Sequence, residues 1–226
     1  MHHTSKDEQY EEIEFCHCTP GLSEKATDFE AVTTHGTIKF SEFNKGSWVI
    51  LFSHPADFTP VCTTEFVGFA EQYDEFEKRN VKLLGLSVDS VYAHIAWVRQ
   101  MEKEFDVKIK FPVIADLSME VSTLFGMLHP AISEVHPVRT VFIIGPDGTV
   151  RMNVTYPQSV GRNINEFIRI IDALQLVEKE NIATPANWKQ GENVLVPPPN
   201  TSSGAEDRTK EQYEECHDWF LCKRKI

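Results

Sequence analysis

Five consecutive apolar residues, Trp48-Val49-Ile50-Leu51-Phe52, precede a loop from Ser53 to Pro60. After that loop Phe66, Phe69, Tyr73 and Phe76 recur at spacings of three and four. The first pattern is that of a strand and the second that of an amphipathic helix. The spacing predicts a helix over Val61 to Lys78, with Cys62 in its first turn. Unpaired backbone N–H groups and the positive end of the helix dipole converge there. A sulfur so placed is favoured as the thiolate, its nucleophilic form.

The alternation continues along the chain. Thr37 to Phe40 is strand-like. Val81 to Val88 is apolar apart from Lys82 and Ser87, with one glycine, as in a buried central strand. Tyr92 to Phe105 has helical spacing, Phe111 to Ala115 is a short strand and Met119 to Phe125 a short helix. Val138 to Ile144 and Thr149 to Tyr156 flank Gly145-Pro146-Asp147-Gly148, which reads as a hairpin turn. Gly161 to Leu176 carries Ile164, Phe167, Ile168, Ile171 and Leu174 on one helical face. Strands and helices in alternation, with one late hairpin, predict an α/β fold with a mixed sheet.

The ends differ from this middle. Residues 1–26 are polar and are expected to form an N-terminal arm, with the α/β domain over 27–184. Residues 185–226 are expected to form a small C-terminal extension. In it, Pro197-Pro198-Pro199 is a stiff linker, Asn200 to Asp207 reads as a loop and Thr209 to Glu215 as a short helix. The tail, Cys216-His217-Asp218-Trp219-Phe220-Leu221-Cys222, sets two thiols beside two large aromatics. Exposed aromatics of this kind mark contacts.

The bulk numbers exclude some functions. The 226 residues are 41% hydrophobic and include fifteen Phe, enough for one substantial core. With 22 basic against 34 acidic residues the net charge is -12, which argues against nucleic acid as a partner. No apolar stretch approaches the roughly 20 residues that span a bilayer, so no membrane partner is expected. Met1 to Glu8 lacks an apolar signal core, so the expected location is the cytoplasm. Thiols there are mostly reduced, and five cysteines point to catalysis or metal binding before a structural disulfide framework.

A cysteine nucleophile needs a stabilised thiolate and a shaped pocket. Arg139, at the start of a late core strand, is a candidate to supply a permanent positive charge. Thr59, three residues before Cys62, is placed to direct its hydroxyl at the sulfur or at an incoming oxygen. Pro55 and Pro60 restrict the loop and remove N–H donors. No nearby cysteine completes a Cys-x-x-Cys pair, and motifs for haem attachment or dinucleotide binding are missing. No cofactor is expected.

The run Ser53-His54-Pro55-Ala56-Asp57-Phe58-Thr59-Pro60-Val61-Cys62-Thr63-Thr64-Glu65 resembles the peroxidatic-cysteine motif of the peroxiredoxins. Pro55, Thr59 and Cys62 match its Pro-x-x-x-Thr-x-x-Cys core. Leu86 to Ser90, Phe111 to Asp116, and Tyr156-Pro157 with Gly161-Arg162-Asn163 also match, so the resemblance runs from about Thr27 to the Pro197 segment. It is closest to the one-cysteine-like subfamily, whose longer C-terminal domain begins near Trp188.

The resemblance implies a thioredoxin-like fold with a C-terminal extension. It also implies a thiol peroxidase that reduces hydrogen peroxide and organic hydroperoxides. Cys62 would attack the peroxide and become a sulfenic acid. Thr59 and Arg139 would bind the substrate and stabilise charge in transfer, and Pro55 would screen the sulfur from water. Supporting roles follow for His54, against the oxidised sulfur, and for Glu65 and Arg162, as an ion pair. For each of these three the alternative is an ordinary structural polar residue.

Cys216 and Cys222 resemble the tail thiols of prokaryotic members that behave as two-cysteine enzymes. Cys216 would resolve the partner subunit's Cys62 as an interchain disulfide, with Cys222 as an alternate partner of Cys216; the alternative is that the tail thiols are spectators and Cys62 is reduced directly from solution. A thioredoxin-like reductant and a homo-oligomer are implied, at least a dimer and in many members a decamer ring of five dimers.

Two stretches depart from the pattern. Some members carry a lipase-like Gly-x-Ser-x-Gly. The matching stretch here, Lys45-Gly46-Ser47-Trp48-Val49, lacks both flanking glycines, and Ser41 stands at the matching histidine position. No phospholipase activity is expected, because a serine without an aligned base has no activation. Cys16-His17-Cys18 lies outside the resemblance. A second reading of the chain is a zinc-binding or chaperone-like scaffold in which Cys16, Cys18, Cys216 and Cys222 cluster. A third is a peroxide sensor built on the same Cys62.

Overall fold

The computed structural model describes residues 19–208 and 210–226. The elements in chain order are β1 (Glu30–Thr33), β2 (Gly36–Lys39), α1 (Phe40–Asn44), β3 (Trp48–Ser53), α2 (Pro60–Glu71), α3 (Tyr73–Lys78), β4 (Val81–Ser87), α4 (Val91–Phe105), β5 (Val113–Ala115), α5 (Glu120–Leu124), β6 (Arg139–Ile144), β7 (Val150–Tyr156) and α6 (Ile164–Lys179). The C-terminal segment adds β8 (Val194–Leu195), α7 (Ser202–Arg208), β9 (Glu215–Cys216) and β10 (Cys222–Arg224).

β3 lies inside a seven-stranded sheet ordered β2-β1-β5-β4-β3-β6-β7. It runs parallel to β4 and antiparallel to β6, which makes the sheet mixed. All of its residues are buried, because side chains of alternating direction meet cover on both faces. Trp48, Ile50 and Phe52 pack with Phe66, Phe69, Trp97 and Phe167 from the helices on one side. Val49 and Leu51 pack with Phe29, Phe40, Phe125 and Phe142 on the other. Gly85 lets α2 approach the sheet: a Cβ there would stand 3.2 Å from the Phe66 ring and 3.4 Å from that of Phe52.

Three local expectations need correction. The helix expected over Val61 to Lys78 is two helices. Gln72, at φ -97° and ψ 5°, ends α2 and caps α3, and the break brings Phe76 into the core beside Phe69. The stretch Asn200 to Asp207 is not all loop, because Thr201 Oγ1 accepts from Gly204 N–H and starts α7. Thr209 to Glu215 is not a helix: among the described residues, Lys210 to Glu214 hold turns and coil. Glu215 instead joins a ladder opposite Lys223.

β8, β10 and β9 form a second, three-stranded sheet. It is joined to α6 through Trp188, which is buried with Ala173, Ile182 and Val194. Among the described residues no helix is long and apolar enough to cross a membrane.

Candidate active site

The chain leaves β3 at Ser53 and enters α2 at Pro60. Thr59 is extended at the N-cap and Pro60 occupies the first helical position, where its missing N–H costs nothing. Phe58, just before, takes a left-handed φ of 56°, a conformation of higher energy for a non-glycine residue. Cys62 therefore sits in the first turn of α2, and its side chain is fully buried. Glu65 and Phe66, three and four residues on, share its face of the helix and are buried with it.

Arg139 opens β6 beside the end of β3. Ser53 Oγ fixes that junction, donating to Val138 O at 2.6 Å and accepting from Thr140 N–H. From there Arg139 Nη1 reaches Cys62 Sγ at 3.3 Å and Glu65 Oε2 at 2.7 Å, while its Nε donates to Gln158 O. Arg162 approaches Glu65 from the opposite side. Its backbone N–H and Nε donate to Oε1, its Nη2 donates to Oε2 and its Nη1 donates to Ser53 O. Burial pulls the Arg162 guanidinium below the usual arginine value, and the Glu65 carboxylate opposes that pull. Two guanidinia and one carboxylate leave one positive charge, and the group facing it is the Cys62 sulfur.

Thr59 does not cap α2 through its side chain. Its hydroxyl donates to Ala56 O at 2.8 Å, which leaves the oxygen lone pairs free to accept. An open cleft of about 700 Å³ begins at Thr59 and runs between α2 and α4 past Phe58, Trp97, Met101 and Phe105. His54 is buried against Phe66 and Trp97, with its Nε2 2.8 Å from Asp57 Oδ1. Asp57, which stands in the motif run without a role of its own, also meets His94, whose Nδ1 lies 2.7 Å from Asp57 Oδ2. Nothing local marks His94, which is one position of an amphipathic helix.

Cys62 is the free cysteine among the described residues. Cys216 and Cys222 face each other across β9 and β10 and are joined as a disulfide within the chain. In that form neither sulfur is a thiolate able to bind zinc. Cys216 is exposed and Cys222 buried, and Trp219 and Phe220 stand exposed in the turn between them. Cys16 and Cys18 lie outside the described residues. Ser47, half of the lipase-like pattern, donates to Asn80 Oδ1, and Ser41 donates to Asp28 Oδ2.

Residues 22–153 match the AhpC/TSA family and residues 173–214 match the C-terminal domain of 1-Cys peroxiredoxin. A peroxiredoxin of Aquifex aeolicus is 52% identical over 217 residues, covering 92% of this chain and 97% of the relative. One from Methanosarcina mazei is 50% identical over 214 residues, covering 91% and 98%. Among solved structures, a yeast mitochondrial 1-Cys peroxiredoxin superposes with a TM-score of 0.80 at 39% identity, covering 91% of this chain and 99% of that one. A cysteine-to-serine mutant of peroxiredoxin 6 from Arenicola marina superposes with a TM-score of 0.81 at 35% identity, covering 91% and 97%. Each structural likeness covers 91% of this chain, and the mixed α/β architecture is the thioredoxin-like one. A buried thiol facing a guanidinium thus stands in a chain that belongs, over nearly its whole length, to the peroxiredoxins, the thiol peroxidases of the AhpC/TSA family.

Proposed function

We propose that Cys62 is the peroxide-reactive thiol and that the tail cysteines complete its cycle. The observation that carries the reading is the 3.3 Å approach of Arg139 Nη1 to Cys62 Sγ, with Glu65 holding the guanidinium in place. The Cys62 thiolate attacks the terminal oxygen of hydrogen peroxide or an organic hydroperoxide. The S–O bond forms as the O–O bond breaks, and the leaving hydroxide or alkoxide takes up the proton that the Cys62 thiol gave up, so that a sulfenic acid and water or an alcohol result. Arg139 stabilises negative charge spread over the transferring and leaving oxygens. Thr59 Oγ, its own proton committed to Ala56 O, accepts from the hydroperoxide O–H. Pro55 shields the sulfur, Arg162 and Glu65 brace Arg139, and His54 contacts the sulfenic sulfur.

The Cys216 thiol of a neighbouring subunit then displaces hydroxide from the sulfenic acid, giving an interchain disulfide and water. Cys222 attacks Cys216 next and frees the Cys62 thiolate. The product is a Cys216–Cys222 bond, the pairing that the tail adopts. A thioredoxin-like dithiol reduces that bond and is itself oxidised. The cycle requires at least a dimer, and a ring of five dimers suits it. Residues 27–184 form the peroxidase domain and 185–226 the extension that carries the tail. The reading puts the enzyme in the cytoplasm, where thiols are kept reduced.

Peptide mapping without reductant after a peroxide pulse tests this. It is expected to find sulfenic acid at Cys62 and a Cys62–Cys216 crosslink between chains. Covalent dimers persisting in a Cys216→Ser variant would sink the assignment of the resolving thiol. Unmodified Cys62 would sink the whole reading.

A further inference from the structure

One carboxylate ties the loop bearing Pro55 and Thr59 to the body of the protein. Asp57 Oδ1 lies 2.8 Å from His54 Nε2, and Oδ2 lies 2.7 Å from His94 Nδ1. His94, on α4, is fully buried, and its Nε2 lies 3.0 Å from the Ile114 carbonyl in β5. A carbonyl only accepts, so that nitrogen carries a proton. Burial pushes the Asp57 carboxyl up, but the bonds to His54 and His94 outweigh it and hold the group below its ordinary value. Asp57 bonds His54 through one oxygen and His94 through the other, and the two ring nitrogens of His94 join Asp57 to the Ile114 carbonyl. His94 is thus a strut between the β5 backbone and the loop.

The strut ends beside the one strained residue of the loop. Asp57 precedes Phe58, whose left-handed φ persists only where its surroundings over-determine it. The Asp57 backbone N–H adds a further tie, donating to Asp89 Oδ2, which also accepts from Ser87 Oγ. Thr59 follows immediately, extended, with its oxygen set by Ala56. Without the tie at Asp57, Phe58 relaxes toward negative φ, and Thr59 and the first turn of α2 lose their setting.

We propose that His94 is a positioning residue for the peroxide reaction, acting through Asp57 to hold the Pro55–Thr59 loop in the shape that leads into the first turn of α2 at Cys62. The inference rests on Cys62 being the peroxide-reactive thiol. It assigns His94 no contact with substrate.

Two isosteric variants separate this role from plain packing. In His94→Asn the amide nitrogen stands where Nδ1 stood and keeps a donor towards Asp57. In His94→Gln the amide reaches the Nε2 position and keeps the bond to Ile114 but not the one to Asp57. The measurement is the second-order rate of Cys62 oxidation by hydrogen peroxide, with urea midpoints taken in parallel. His94→Gln is expected to react about tenfold more slowly, the scale of a small misplacement of reacting groups. His94→Asn is expected to stay within about threefold of the parent.

Equal losses in the two variants, or no loss in either, overturn the proposal. Asp57→Asn is a further arm for the case in which a His94 variant does not fold. It turns one acceptor into a donor against a histidine donor and is expected to react as slowly as His94→Gln. An unchanged rate there also overturns the strut. A parent protein whose Cys62 fails to react overturns the reading of the site itself, a result distinct from a reactive parent with unaffected variants.

Discussion

Arg139 binds a sulfur and a carboxylate through one nitrogen: its Nη1 stands 3.3 Å from Cys62 Sγ and 2.7 Å from Glu65 Oε2. Both partners are buried, so the charges act with little water between them. The guanidinium also donates from Nε to Gln158 O, which fixes its plane. A lysine has one donor group in place of this fork. Arg139→Lys is expected to keep the fold and to lower kcat/KM for peroxide by about 10²-fold, the effect of losing a preorganised donor at developing charge. Steady-state kinetics with hydrogen peroxide checks this, and a loss under threefold would mean that Arg139 does not stabilise the transferring oxygen.

Glu65 has the opposite dependence. It accepts from Arg139 and from three nitrogens of Arg162, all in the protein interior. Removing its charge leaves two guanidinia facing each other without a counter-ion. Glu65→Gln is expected to cost about 3 to 5 kcal/mol, as for other buried pairs stripped of one partner. Urea unfolding of the reduced protein gives the value directly, and a cost below 1 kcal/mol would show that water or a shift of Arg162 takes up the charge.

What the sequence made legible was local. The strand Trp48–Phe52, the proline loop and the first turn of α2 each rest on patterns a few residues long, so the position of Cys62 could be read directly. The pairing of Glu65 with Arg162 came only through the family resemblance, and the bond of Arg139 to the same carboxylate was not read at all, because the two arginines reach Glu65 from β6 and from the turn before α6, 74 and 97 residues away. His94 was hidden for the same reason, with its partner Asp57 37 residues distant. The missed strand β1 has only one buried residue, Thr33, so it carries no clean alternation. In the tail the helix was expected seven residues too late, since all of α7 lies outside the core and no apolar stripe marks it.

His54 makes stability depend on pH. Burial pushes its imidazole below the ordinary histidine value, and the bond to Asp57 only partly opposes this. Asp57, His94 and Asp89 are the titratable groups acting on it. Unfolded, His54 takes up a proton below about pH 6.5; folded, it resists until the pH is lower. The unfolded state therefore binds more protons in that window, and stability falls as pH falls, with a limiting slope of about 1.4 kcal/mol per unit. Asp57, held low when folded, adds its own loss only below about pH 3.9. His54→Gln keeps a donor towards Asp57 and does not titrate. Its unfolding free energy is expected to change less than that of the parent between about pH 6.5 and about pH 5. Parallel slopes in the two proteins would assign the effect to other groups.

Ser47 is expected to give no lipase chemistry. Its hydroxyl is nearly buried and donates to Asn80 Oδ1, and the residue at the matching histidine position, Ser41, bonds Asp28 instead. With no imidazole to take its proton the hydroxyl is not activated. Phospholipid vesicles incubated with the protein should release no fatty acid. Release that disappears in Ser47→Ala would contradict this account.

Trp188 governs how the tail is held. Its ring is buried among Ala173 and Leu176 of α6, Ile182, and Val194 of β8. The indole N–H donates to Glu192 O, and Arg169 Nη1 donates to the Trp188 carbonyl. β8 in turn pairs with β10, the strand that begins at Cys222. Trp188→Ala removes the largest side chain joining the small sheet to α6 and is expected to cost about 3 to 5 kcal/mol. That loss falls on the C-terminal sheet, because Cys62 and its two arginines pack in the separate core around β3. Limited proteolysis should therefore cut the variant within residues 185–226 faster than the parent, while Cys62 still reacts with peroxide at close to the parent rate. Equal proteolysis would show that β8 and β10 hold the tail without Trp188, and a matching loss of Cys62 reactivity would show that the two cores are coupled.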